Sequence, residues 1–170
     1  ALPPQPPDDP APGRAAAGTV SALAARLCAP DDLADLARLG RVAAAELADQ
    51  RGGTAFLREL GRHDDELLVD PAAGIQMVGT VGGAVVGTVA LTEVRHADGS
   101  ASGVIAVLYV EPAARRVGVG ERLLAGALEV ARTRSWSAVD ASALPGDRAT
   151  KNFFEAAGLV TRRLVVSIDL

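Results

Sequence analysis

Two arginines and two glycines in "EPAARRVGVGERLL", residues 111–124, are the residues of this chain whose types and spacing most suggest chemistry. Gly118 and Gly120 alternate just ahead of an apolar run at helical spacing, with Arg115 and Arg116 before them. A helix start offers unpaired backbone N–H groups and the positive end of the helix dipole, which suits phosphate. Glycine lets the backbone curl and approach a ligand without a Cβ in the way. Arginine adds countercharge and forked donors. A dinucleotide fingerprint would need a third glycine near 123, where Leu123 stands. A nucleotide P-loop would need Lys and then Ser or Thr after its last glycine, where Glu121 and Arg122 stand. Neither motif is met, and the stretch by itself equally fits a plain turn with solvated arginines.

The elements that must carry this turn can be read from pattern. Residues 1–17 are rich in Pro and Ala and nearly free of large apolar side chains, so a disordered tail is expected there, with one domain over 18–170. "TVSALAARLC" (19–28) is a first strand. Pro30, Asp31 and Asp32 announce a helix with Leu33, Leu36, Leu39 (or Gly40), Ala43 and Leu47 on one face. A second short helix starts near Thr54 and buries Phe56, Leu57 and Leu60. Residues 73–94 read as two strands around Gly82-Gly83, a dipeptide suited to a hairpin. "VIAVLYV" (104–110) is a buried strand, and the helix after the glycine turn turns Leu124, Ala127, Leu128 and Ala131 inward. "SAVDAS" (137–142) is a strand, Asp147 caps a helix that stops at Gly158, and "LVTRRLVVSIDL" is a final strand. The sum is a mixed α/β fold, its sheet mostly antiparallel and flanked by helices.

Composition narrows the function. The net charge of −4 argues against a nucleic-acid surface, which needs a basic stripe. Cys28 is the only cysteine, and His63 and His96 are the only histidines, so a metal site and a histidine-dependent triad are poorly supplied. No stretch reads as a membrane span and the start lacks the order of a secretory signal, so a cytoplasmic protein is expected.

Arg115-x-x-Gly118-x-Gly120, placed after "LYVEPAA" and before "ERLL", resembles the acyl-CoA signature of the GNAT superfamily of N-acetyltransferases. "DRATKNFFEAAGL" (147–159) is similar to that family's later segment, an Asn-led helix ending in Tyr, a few polar residues, then Gly-Phe. The resemblance implies acetyl-CoA as co-substrate and splayed central strands. The pantetheine arm would insert between Leu108–Val110 and Val139–Ser142, pairing with the backbone of Leu108 and Val110 while the Tyr109 side chain packs away in the core. Amides from Arg116 through Val117, Gly118, Val119 and Gly120 would cradle the pyrophosphate, with Lys151, one helical turn after Asp147, within reach of phosphate. The implied reaction is direct acetyl transfer from the thioester to a primary amine of a small molecule or protein. The amine must lose a proton, and the developing oxyanion needs preorganised donors.

The chain departs from the family at the acid–base positions. The usual tyrosine acid falls on Phe154, beside the cofactor but with no proton to give, and the usual Asn falls on Asp147. No carboxylate lies within "VIAVLYV". Glu93, at the end of the preceding strand, is the candidate base, with His96, Glu111 and Asp140 weaker. These departures keep a second reading open, a sensor that binds acyl-CoA without turning it over. There is length for only one strand after the last helix, where the family has a hairpin, so a second copy of the chain is expected to cover the sheet edge.

Overall fold

Residues 22–60, 74–166 and 168 are described by a computed structural model. The expected tail over 1–17 and the first residues of the first strand lie outside them. In order come β1 (Leu23–Leu27), a 3-10 turn at Pro30–Asp32, α1 (Leu33–Ala48), α2 (Gly53–Glu59), β2 (Ile75–Val81), β3 (Ala84–Arg95) and β4 (Ala101–Val110). A second 3-10 turn at Pro112–Ala114 leads to α3 (Val119–Thr133), β5 (Val139–Ala141) and α4 (Arg148–Ala156).

Local chemistry accounts for the boundaries. Asp32 accepts the Ala29 N–H at 2.7 Å and two N–H bonds from Arg26 at 2.6 and 2.8 Å, which fixes the entry to α1. Leu36, Leu39, Ala43 and Ala44 form its buried stripe; Leu33, expected on that stripe, is 48% exposed and lines an apolar cavity beside Leu27 and Ile75. Gly82 and Gly83 both take positive φ, 59° and 87°, as a two-residue hairpin with the sheet's own twist requires. Asp147 caps α4 by accepting the Thr150 N–H at 3.0 Å.

The five strands lie in the order β1-β2-β3-β4-β5, antiparallel except for the last, parallel pair. α3 covers one face over Met77, Val89, Leu91 and Ile105, joined by Trp136 and Phe154. α1 and α2 cover the other over Val78, Val85 and Tyr109. Gly103 is required where it stands: a Cβ there would fall 2.2 Å from the Trp136 ring.

The expected final strand does not form over residues 159–166, which are in no strand, with Leu164 84% and Val166 85% exposed. β5 is three residues long, and so short an edge offers few ladder bonds against the entropy of ordering a strand beside it. Among the described residues no helix is long and apolar enough to cross a membrane.

Candidate functional site

β4 outruns its neighbour. It pairs with β5 only from Gly103 to Ile105, opposite Val139 to Ala141, and then continues alone on that side to Val110. A register shift in the β3–β4 ladder makes Ala106 the extra residue between Ile105 and Val107. Such a bulge reverses the alternation of the strand beyond it. Ile105 packs on the α3 face, whereas Val107 and Tyr109 pack on the α1 face and Leu108 and Val110 on the α3 face. The backbone reverses with the side chains. Gly103 donates its N–H to Ala138 on the β5 side at 2.9 Å, and Glu111 donates to Val86 on the β3 side at 2.9 Å. Counting back from Glu111, the amides of Val110 and Leu108 turn away from β3, into the opening where β5 has ended. These are the two backbones that the resemblance assigns to pantetheine.

The glycine turn stands at the top of that opening. Arg116 and Gly118 both take positive φ, 66° and 97°, on either side of Val117. Left-handed residues alternating in this way turn successive N–H groups into one concavity, a nest that suits an anion. Among the described residues, none of the amides of Arg116, Val117, Gly118, Val119, Gly120 and Glu121 makes a hydrogen bond of good geometry; the first such helical bond is Arg122 N–H to Gly118. Six donors in sequence, the last three of them the first residues of a 15-residue helix, form a concentrated positive site. The glycines cannot be exchanged freely. A Cβ on Gly118 would lie 3.1 Å from Leu23, and one on Gly120 3.3 Å from the Phe153 ring.

Several side chains turn out to be used otherwise than the sequence suggested. Arg115 is engaged within the chain: its Nε donates to the Val110 carbonyl at 2.8 Å and its Nη2 to Glu46 at 2.6 Å. Arg116, exposed, is left as the countercharge of the turn. Asp147 is occupied as a helix cap, and Lys151 pairs with Glu155 at 2.5 Å. Phe154 is 8% exposed in the core, so Phe153 rather than Phe154 borders the turn. Tyr109 packs under α1 as expected and donates its hydroxyl to Glu46 at 2.8 Å. Burial, and the bond to that carboxylate, push the phenol up to about 12, which makes it a poor acid or base near neutrality.

The environment of Glu93 runs against its assignment as a base. Its carboxylate accepts the Trp136 indole N–H at 2.9 Å and pairs with Arg95 at 2.7 Å and Arg134 at 3.8 Å. The indole bond foremost, with both guanidinium groups, holds it below the usual carboxylate range. It also sits opposite Gly103, beside the closed part of the sheet rather than the open part. Of the weaker candidates, Glu111 pairs with Arg38, His96 bonds Ser102 at the β3–β4 hairpin at 2.9 Å, and Asp140 is exposed on β5. Burial raises the Cys28 thiol, consistent with a small packing residue.

Glu46 is the residue that sequence reasoning missed. It lies 69 positions from Arg115 on an α1 face with nothing in its spacing to mark it. A cavity of about 760 Å³ lined by Leu27, Ile75, Met77, Gly126 and Val130 lies toward the other end of α3, away from the turn. Its lining is mostly apolar, with Glu129 and Arg134 among it, and includes none of the amides of the turn. Among the described residues no cluster of His, Cys, Asp and Glu suits a metal ion.

A mixed sheet whose fourth strand parts from its fifth beside a donor-lined helix entrance defines an acyltransferase-type α/β domain. The sequence pattern of the acetyltransferase (GNAT) family matches residues 41–159. The chain belongs to that family, whose members transfer an acetyl group from acetyl-CoA to an acceptor. No curated protein sequence matches it. Among solved structures, it is similar to a ribosomal-protein-alanine N-acetyltransferase from Brucella melitensis biovar Abortus 2308, with 20% identity over 88% of this chain and 99% of that one and a TM-score of 0.66. It is also similar to an aminoglycoside acetyltransferase from an uncultured soil metagenomic sample in complex with sisomicin (16%, 87% and 95%, 0.64). A transcriptional regulator from Bacillus halodurans C-125 shares the fold as well (18%, 88% and 100%, 0.62). At these identities the likeness is one of fold, and the acceptor is not named by it.

Proposed function

We propose that this domain is an N-acetyltransferase that moves the acetyl group of acetyl-CoA directly onto a primary amine. The observation that carries the reading is the run of amides from Arg116 to Glu121, none with a well-formed hydrogen bond among the described residues, at the open edge of β4. The residues fit the cofactor: the nest suits a diphosphate, and the two glycines let its backbone curl where a Cβ would meet Leu23 or the Phe153 ring. Acetyl-CoA supplies the acetyl group activated as a thioester. The chain's own part is to hold the diphosphate at the nest and to accept the pantetheine amides along Leu108 and Val110. An N–H of that strand directed into the opening would polarise the thioester carbonyl. The amine nitrogen bonds to the carbonyl carbon, the carbon–sulfur bond breaks, and the amine proton passes to solvent or a nearby base. A thiol with a pKa near roughly 8.5 leaves tolerably without an acid, so Phe154 is compatible with turnover.

A second reading is supported by a specific observation. The hydroxyl of Tyr109 is tied to Glu46, Phe154 is buried, and Glu93 is held by an indole N–H and two guanidinium groups, so each is a poor proton carrier for the reaction. A domain so equipped suits an acyl-CoA sensor. Free-thiol release from acetyl-CoA across a panel of small amines and peptides separates the two. Amine-dependent release supports the enzyme; tight CoA binding with no release from any acceptor favours the sensor.

A further inference from the structure

The geometry points to Glu46 as a positioning residue that, through Arg115, holds the main chain of the glycine turn in the shape that receives a diphosphate. This rests on the reading of the turn as the diphosphate site of acetyl-CoA.

The two oxygens of Glu46 do different work. Oε1 accepts the Tyr109 hydroxyl at 2.8 Å, which ties α1 to β4. Oε2 accepts Arg115 Nη2 at 2.6 Å, which ties α1 to the start of the turn. Arg115 in turn donates Nε to the Val110 carbonyl at 2.8 Å, closing the loop between the end of β4 and the turn. Its guanidinium carbon lies 5.6 Å from the Tyr109 ring centroid, so the fork is held from a third side. The next residue, Arg116, takes φ +66°, a conformation that residues with side chains hold only where their surroundings impose it. An anchor one residue before that strain is where it is most effective. The pair also neutralises Arg115, so the turn meets the anion with oriented dipoles and Arg116 rather than with Arg115. Glu46 and Arg115 side chains are 35% and 45% exposed, and pairs so exposed add little to global stability. Their removal is expected to disturb the turn and leave the fold.

The test is calorimetry of the full chain with coenzyme A at several salt concentrations, with thermal midpoints measured in parallel. Glu46→Gln and Arg115→Met are each expected to raise Kd about tenfold, the order of one lost charge-assisted hydrogen bond. Their combination is expected to be no weaker than Arg115→Met alone, because Glu46 acts through Arg115. Arg115→Met is expected to keep the wild-type salt slope, since no phosphate contact is lost. Arg115→Lys keeps the charge without the two-ended fork and must also weaken binding. Wild-type affinity in Glu46→Gln or in Arg115→Lys overturns the proposal while the diphosphate reading stands. An additive double variant, or a shallower salt slope in Arg115→Met, overturns it in favour of a direct phosphate contact. A wild-type chain that takes up no coenzyme A removes the reading and the proposal together.

Discussion

Trp136 donates its indole N–H to Glu93 across 2.9 Å, joining the residue that follows α3 to the end of β3. The ring also lies against Gly103, where β4 meets β5. Glu93 therefore secures the closed end of the sheet, and Glu93→Gln is expected to lower thermal stability while retaining most turnover. Steady-state kinetics beside a melting curve checks this. A fall in kcat of about 100-fold or more, the size of lost general-base catalysis, would return Glu93 to the chemistry.

Gly118 and Gly120 carry the turn. Gly118→Ala forces a Cβ onto φ +97° against Leu23, and Gly120→Val pushes against Phe153. The strained backbone at 118 alone costs about 1–2 kcal/mol. The double variant is expected to lose coenzyme A binding by calorimetry. Retained affinity would mean that the diphosphate lies elsewhere.

Phe154→Tyr introduces the hydroxyl that the family resemblance implies at this position, but it does so inside the α3-face core. Burying that group without a partner costs about 1–3 kcal/mol. A lower melting temperature with unchanged kcat is expected. An increase in kcat would place the ring at the open edge of β4.

Acid sensitivity follows from Asp32, whose bonds from Arg26 foremost, then from Ala29, hold it below its ordinary value of 3.8. Because the folded value is the lower one, the stabilisation is present above 3.8 and is lost as pH falls from there through the folded value. Asp32→Ala, which strands the Ala29 N–H, is expected to cost about 2 kcal/mol at neutral pH. Urea melts of the two proteins are expected to draw together as pH falls from 3.8 through the folded value; a gap that persists undiminished in acid would show that the ion pair is not its source.

The outer edge of β5 has no strand beside it among the described residues. A second copy of the chain is the proposed cover, supplied by a surface packed over the edge rather than by a strand added to it. Light scattering during size exclusion is expected to give twice the chain mass at micromolar concentration, and a clean monomer counts against it.

Much of this protein was already written in local pattern. Gly82-Gly83 set the hairpin, Asp147 and Gly158 bounded α4, and the apolar stripes placed α1 and α3, because turns, caps and amphipathic faces depend on neighbours a few residues away. The spacing of Arg115, Gly118 and Gly120 marked the turn for the same reason. What it left undetermined was the use of each side chain. One inserted residue, Ala106, decides that Leu108 and Val110 rather than Val107 and Tyr109 direct their backbone into the opening. Arg115 bonds Glu46 rather than an anion, Glu93 meets Trp136, and residues 159–166 pair with nothing in the sheet. These outcomes depend on groups brought together across 43 and 69 positions of chain, and only packing settles which of several donors an exposed carboxylate will meet.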